Sequence, residues 1–170
     1  MIPPPIDHAY GYAPTVEVGV LGPVVVLDNG DPLMVGGPKQ RTVLAMLVAG
    51  HGSDVGVETL VMGVYGDDAP TRSKRTIHTY ISNLRQQLGS TISTHGEAYR
   101  LDLPAEKVDA IVFERRFQAA RDLTGTDPET AADQLRGALS MWRGHPYADV
   151  IANPMLTAEA QRLQEVRLGA

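Results

Sequence analysis

Between Thr71 and Gly89 the chain reads TRSKRTIHTYISNLRQQLG. Its side chains are of the kinds that hydrogen-bond to phosphate and to base edges. Arg and Lys donate to phosphate oxygens, while Asn, Gln, Ser and Thr both donate and accept and so can match the pattern that a major groove displays. The stretch holds four basic residues and no acid, and no Asp or Glu occurs between Asp68 and Glu97, in a chain of formal net charge -5. A carboxylate on a surface approaching phosphates would be repelled while losing its hydration. The acid-free window therefore reads as a surface that meets a polyanion, with solubility supplied by acids elsewhere. A merely solvated helix face usually mixes signs, with Glu and Lys four residues apart, and this one contains no Glu.

Other chemistries find less support. There are no cysteines, which excludes disulfides, thiolate metal sites and cysteine nucleophiles. The five histidines, His8, His51, His78, His95 and His145, have no paired-ligand spacing, so no metal and no cofactor is expected. Asp67 and Asp68 are adjacent, but no nucleophile with a base partner accompanies them, so an enzyme is not expected. GGPKQRT lacks the spacing of a phosphate-binding loop. No run reaches the roughly 18 apolar residues of a membrane span, and MIPPPIDHAYGY has neither the basic segment nor the apolar stretch of a signal peptide. The expectation is a cytoplasmic protein with no membrane contact.

The elements that must position the basic stretch can be read from periodicity. At 170 residues with 43% hydrophobic content, the chain suits one domain or two small ones. Residues 1–15 carry four prolines and read as a mobile tail. VEVGVLG and VVVL are β-branched runs, DNGD supplies a hairpin turn, and PLMV is expected as a third strand of a small antiparallel sheet. PKQRTVLAMLVAG reads as a first helix with Val43, Leu44, Leu47 and Val48 as its apolar stripe, and VETLVMGVYG as a second that closes near Gly66. On a helix over 73–88, Ile77, Ile81, Leu84 and Leu88 fall within about 60° of one another and face a core. Arg75, Thr76, Thr79, Ser82, Asn83, Gln86 and Gln87 lie opposite, with Lys74, His78 and Arg85 flanking the seam on one side. TIST and AYRLDL, joined by HGE, form a hairpin. Sheet, three helices and hairpin make a winged helix-turn-helix over 16–103, within an α+β chain.

Five blocks together, LGPVVV, GGPKQRTVLAMLV, the run from Tyr65 to Gly89, AYRLDLPAEKVDAIVFERRF and ALSMWRG, resemble the Streptomyces antibiotic regulatory protein (SARP) family of actinobacterial transcription activators. The resemblance covers roughly Val16 to the C-terminus. It implies an OmpR-type winged helix followed by a bacterial transcriptional activation domain similar to tetratricopeptide repeats. It further implies binding to direct repeats in promoter DNA, recruitment of RNA polymerase and head-to-tail association on the DNA. Ser73 to Leu88 match the recognition helix and Ile92 to Leu103 the wing. The candidate DNA-facing set is Lys39, Arg72, Lys74, Arg75, Thr76, Thr79, Tyr80, Ser82, Asn83, Arg85, Gln86, His95 and Arg100, and the loop with Gly66, Asp67, Asp68 and Thr71 matches a polymerase-facing segment. Many relatives carry Arg in place of Asn83, and Glu97 puts an acid at the wing tip where minor-groove insertion favours Arg; the departures imply modest affinity and a different site preference, the first altering sequence choice more than abolishing binding.

Residues 104–170 read as helices. One starts at Asp109 as N-cap, lined by Val112, Arg116, Ala119, Ala120 and Leu123; another is capped by Asp127 with Pro128 in its first turn; a third runs from about Thr157 to Leu168. Trp142 is expected in the core. Three helices are fewer than this family's activation domain has, so a fragment of a longer regulator is expected; a second copy covering the last helix is the alternative. The competing function is a protein-interaction module whose basic helix meets an acidic partner.

Overall fold

The computed structural model describes residues 16–170; the segment read as a mobile tail lies outside them. Val16–Gly19 (β1), Val25–Asp28 (β2) and Asp31–Pro32 (β3) form an antiparallel sheet in that order. Val18 pairs with Val26 and Asp28 with Asp31. Asn29 and Gly30 close the second hairpin with φ of 51° and 88°, the two positive values that a tight primed turn requires. The expected strand PLMV is shorter than its sequence indicates. Pairing ends at Pro32, and Met34 is 84% exposed, because the chain turns away toward the first helix.

That helix, Pro38–Ala49 (α1), is the centre of the molecule. Every residue from Thr42 to Val48 is buried, so this part of the helix has no solvent stripe and is enclosed on all sides, while Lys39 at its start is exposed. Val57–Tyr65 (α2) crosses it at Gly63, where a Cβ would collide with Met46 Sδ. Ser73–Leu88 (α3) packs Ile77, Ile81, Leu84 and Leu88 into the same core, and Gly89, at φ 67°, stops it. Ile92–His95 (β5) and Ala98–Leu101 (β6) are the hairpin, and Val55–Gly56 (β4) pairs with β6 to give a second sheet, ordered β4-β6-β5.

Asp109–Leu123 (α4), Pro128–Leu139 (α5) and Pro154–Leu168 (α6) follow. The α4–α5 pair forms an antiparallel helix hairpin, while α6 turns back and packs on α1. One buried cluster runs from Val18 through Leu44 and Ile77 to Phe113 and Leu163.

Three expectations for this half need correction. Asp109 is the first helical residue and not the cap. Its carboxylate accepts from the Val20 and Leu21 amides at 2.7 and 3.2 Å, tying α4 to the end of β1. The buried residues of α4 are Ala110, Phe113 and Ala120, with Arg116 and Ala119 exposed, so the apolar face is rotated from the one expected. α6 begins at Pro154, capped by Asn153, whose Oδ1 accepts from the Leu156 amide at 3.0 Å. Asp127 caps α5 as expected, accepting from the Thr130 amide at 3.1 Å. Trp142 is half-buried and meets Phe113 edge to face, with ring centres 5.2 Å apart.

Candidate nucleic-acid interface

α3 is amphipathic in the sense its sequence requires, and its polar side divides into three strips with different surroundings. Along the middle, Arg75, Thr79, Ser82 and Gln86 are exposed. Among the described residues no carboxylate pairs with Arg75. The Thr79 hydroxyl donates to the Arg75 carbonyl at 3.1 Å, which leaves its oxygen free to accept.

On the flank facing α1, side chains are already engaged with the protein. Asn83 Nδ2 donates to Gln40 Oε1 at 3.2 Å, and buried Gln40 donates in turn to the Val35 carbonyl at 3.1 Å. Asn83 therefore has one face of its carboxamide committed to the fold. Tyr80 is half-buried beside Tyr65; burial pushes its phenol up, and Tyr65 adds to that. Lys39 stands over the Tyr65 ring, 4.3 Å from its centre. Thr76 is half-buried with its hydroxyl on the Arg72 carbonyl at 3.2 Å, and Arg72 is exposed at the start of α3.

On the opposite flank the partners are the wing and α2. Arg85 donates from Nε to the Ile92 carbonyl at 2.9 Å and from Nη2 to Thr94 Oγ1 at 2.6 Å, so both hydrogen-bond acceptors lie on β5. His78 Nδ1 lies 2.6 Å from the Tyr99 hydroxyl. Lys74 pairs with Glu58 of α2, and that contact raises the Lys74 pKa. At the wing, His95 Nδ1 and Arg100 Nη2 both reach Asp54 Oδ1, at 2.9 and 2.8 Å.

The acid-free sequence window is thus not an acid-free surface. The fold brings Glu58 and Asp54 to its edge, and they take up Lys74, His95 and Arg100. Of the thirteen residues picked from the sequence, the middle strip keeps its polar atoms turned outward, whereas Asn83, Arg85, Lys74, His95 and Arg100 have protein partners. Gln40, Glu58, Asp54, His78 and Tyr99 shape this surface but are absent from the candidate set. Asp54 could have been found only from the pairing of β4 with β6, a strand of two residues that leaves no alternation in the sequence. Gly66, Asp67, Asp68 and Thr71 are exposed on one continuous loop between α2 and α3.

Comparison with known proteins agrees with this architecture. Residues 32–101 match the family model described as "Transcriptional regulatory protein, C terminal", and residues 108–170 match "Bacterial transcriptional activator domain". The chain is 34% identical over 143 residues to the transcriptional regulatory protein EmbR of Mycobacterium tuberculosis, covering 79% of this chain and 37% of EmbR. It is 29% identical over 167 residues to the regulatory protein DnrI of Streptomyces peucetius, covering 91% and 61% of the two chains. It is 34% identical over 162 residues to AfsR of Streptomyces coelicolor, covering 90% and 16%. The solved structure of M. tuberculosis EmbR in complex with a low-affinity phosphopeptide superposes with a TM-score of 0.85 at 29% identity, over 91% of this chain and 43% of that one. The chain thus spans well under half the length of EmbR.

Proposed function

We propose that this chain, which belongs to the SARP family of transcription regulators, acts as a sequence-specific DNA-binding activator. The observation that carries the reading is the middle strip of α3: Arg75, Thr79, Ser82 and Gln86 exposed in a row, with no carboxylate among them, beside a hairpin wing. A helix of this kind fits a major groove, where Arg donates to guanine and Gln to adenine, while Ser and Thr suit either donors or acceptors. Arg72 and Lys39 are exposed at helix starts and suit phosphate contact, which adds affinity without adding sequence preference. Residues 16–103 form the reading unit and 104–170 belong to the activation unit. The loop carrying Gly66, Asp67, Asp68 and Thr71 is the surface offered to RNA polymerase. Binding to direct repeats places copies head to tail, an arrangement that needs no dimer in solution. The site of action is the cytoplasm, and the mechanism includes no catalytic step.

A second reading, a protein-interaction module, is favoured by one observation: Glu58 and Asp54 temper the basic charge at the edge of the surface. Competition separates the two. Anisotropy on a labelled promoter duplex, with an excess of unrelated duplex, leaves binding in place for a sequence reader. Equal displacement by any duplex argues for the module. Substituting Arg75→Ala should weaken promoter binding roughly 5- to 150-fold, the range for a lost bidentate base contact; binding as tight as wild type would remove Arg75 from the reading set.

A further inference from the structure

The α3–wing junction is a single short turn, Gly89–Thr91. That turn fixes where the hairpin starts, and β4 holds the outer edge of β6 through the backbone, while on the side facing α3 the hairpin is held by side chains. Arg85, in the last turn of α3, spans Ile92 and Thr94 with its two hydrogen bonds, 2.9 and 2.6 Å, and its guanidinium lies 5.5 Å from the centre of the Tyr99 ring. Two turns earlier, His78 meets the Tyr99 hydroxyl at 2.6 Å, with the two rings edge to face at 6.0 Å and 72°. Tyr99 is 6% exposed; burial raises its phenol pKa, and Arg85 beside it works in the opposite direction. Arg85 therefore grips β5 while His78 and Arg85 together grip β6, so both strands of the hairpin are held from one flank of α3.

We propose that Arg85, with His78 and Tyr99, is a positioning residue that sets the angle between the helix and the wing, and that it is not a phosphate ligand. The inference rests on the DNA-binding reading and narrows it: the sequence of this segment gives four cations, but one of them is spent on holding the reader's two parts in register. Recognition by a helix and a wing together requires both to meet the duplex in one fixed arrangement, whereas non-specific attraction tolerates a swinging wing. Loosening the bracket should lower specific binding more than general affinity.

The test uses the 170-residue chain, a duplex that the wild-type chain selects from a random pool, and a scrambled duplex of the same composition. Thr94→Val and Tyr99→Phe remove no charge, and each is expected to lower the selected-to-scrambled affinity ratio several-fold. Arg85→Ala is expected to lower it about tenfold, comparable to one mismatched base pair. The slope of log Kd against log salt on the scrambled duplex should stay at the wild-type value in all three. If Arg85 is a phosphate ligand, Arg85→Ala shifts that slope by about 0.9 while Thr94→Val and Tyr99→Phe bind as wild type; that pattern overturns the proposal. Hydrogen exchange at the amides of 92–101 separates this from failure of the wider reading. Faster exchange in the variants, with no sequence selected by wild type, supports the bracket and sinks DNA reading. Wild-type exchange in Arg85→Ala sinks the bracket whatever the DNA result.

Discussion

Arg75 and Lys74 are neighbours on α3 with the same charge, yet the fold gives them different freedom. Arg75 is exposed without an ion pair among the described residues, whereas Lys74 sits on Glu58. Glu58→Gln should therefore release Lys74, tighten binding to any duplex and steepen the log Kd against log salt slope by about 0.9, one phosphate's worth of released counterion. Salt titrations by anisotropy check this, and an unchanged slope would mean that Lys74 lies too far from the duplex to matter. Asn83 illustrates what residue types can and cannot disclose. Its amide suggests adenine recognition, and its neighbours in sequence agree; its bond to buried Gln40 depends on how α1 approaches α3, which spacing along one helix does not encode. The exposed middle strip was legible because it needs only the period of the helix. The flanks were not, because their partners lie on other elements, whether near in sequence as Thr94 is to Arg85 or far as Gln40 is from Asn83.

At the scale of elements, caps and junctions decide where the helices start and what they are tied to. Asn153 caps α6 and also donates to the Gly63 carbonyl at 3.2 Å, so one buried side chain both starts α6 and fastens it to α2. Asp127 does only the first of these, on the surface. Asn153→Ala should cost about 2 kcal/mol, and Asp127→Ala about 1 kcal/mol, the larger loss reflecting the Gly63 carbonyl left unpaired in the interior. Urea unfolding of the two variants measures the difference; equal losses would mean that the tie to α2 contributes nothing. The boundaries of α1, α2 and α3 and the start of α5 are readable from glycine, proline and apolar spacing. Apolar spacing alone places the start of α6 three residues late, although Asn153 and Pro154 are a cap and a first-turn proline by type. Asp109 suits a cap by type because it has a capping side chain at a helix start; its role in the fold, accepting two amides just past the end of β1, depends on the contact between α4 and β1, which local sequence does not encode.

Across the whole molecule, the winged helix and the following helices are joined by a shared core and by a chain of charges. His51, just beyond α1, reaches Glu159 of α6 at 3.0 Å; Arg162 binds Glu159 and, through two nitrogens, Glu114 of α4 at 2.6 and 3.1 Å. Burial pushes Glu159 up, but the hydrogen bonds from Arg162 and His51 outweigh it and hold its pKa down to about 2. The hydrogen bond to Glu159 raises His51 above its usual value. A lowered carboxylate contributes stability above its unfolded value near 4.5 and loses it as pH falls toward 2; a raised histidine contributes below about 6.5 and loses it as pH rises through the folded value. The joint contribution is therefore greatest between about 4.5 and 6.5, and wild type should lose more stability than His51→Ala between pH 6 and pH 9 in urea titrations. Parallel curves would disconnect His51 from the fold. The pairing of distant blocks is also visible at this scale: Arg143, within ALSMWRG, donates from its amide to the Leu21 carbonyl at 2.7 Å, so blocks that resemble one family in sequence meet in space at the end of β1. Among the described residues no helix is long and apolar enough to cross a membrane. The central claim is that α3 reads sequence, and the most direct test is selection of duplexes from a random pool by the wild-type chain, followed by anisotropy on the enriched sequence against scrambled competitor at two salt concentrations. Convergence on one motif, with binding that survives an excess of competitor at the higher salt, is the predicted result. A pool that stays random, or displacement by every duplex alike, would contradict it.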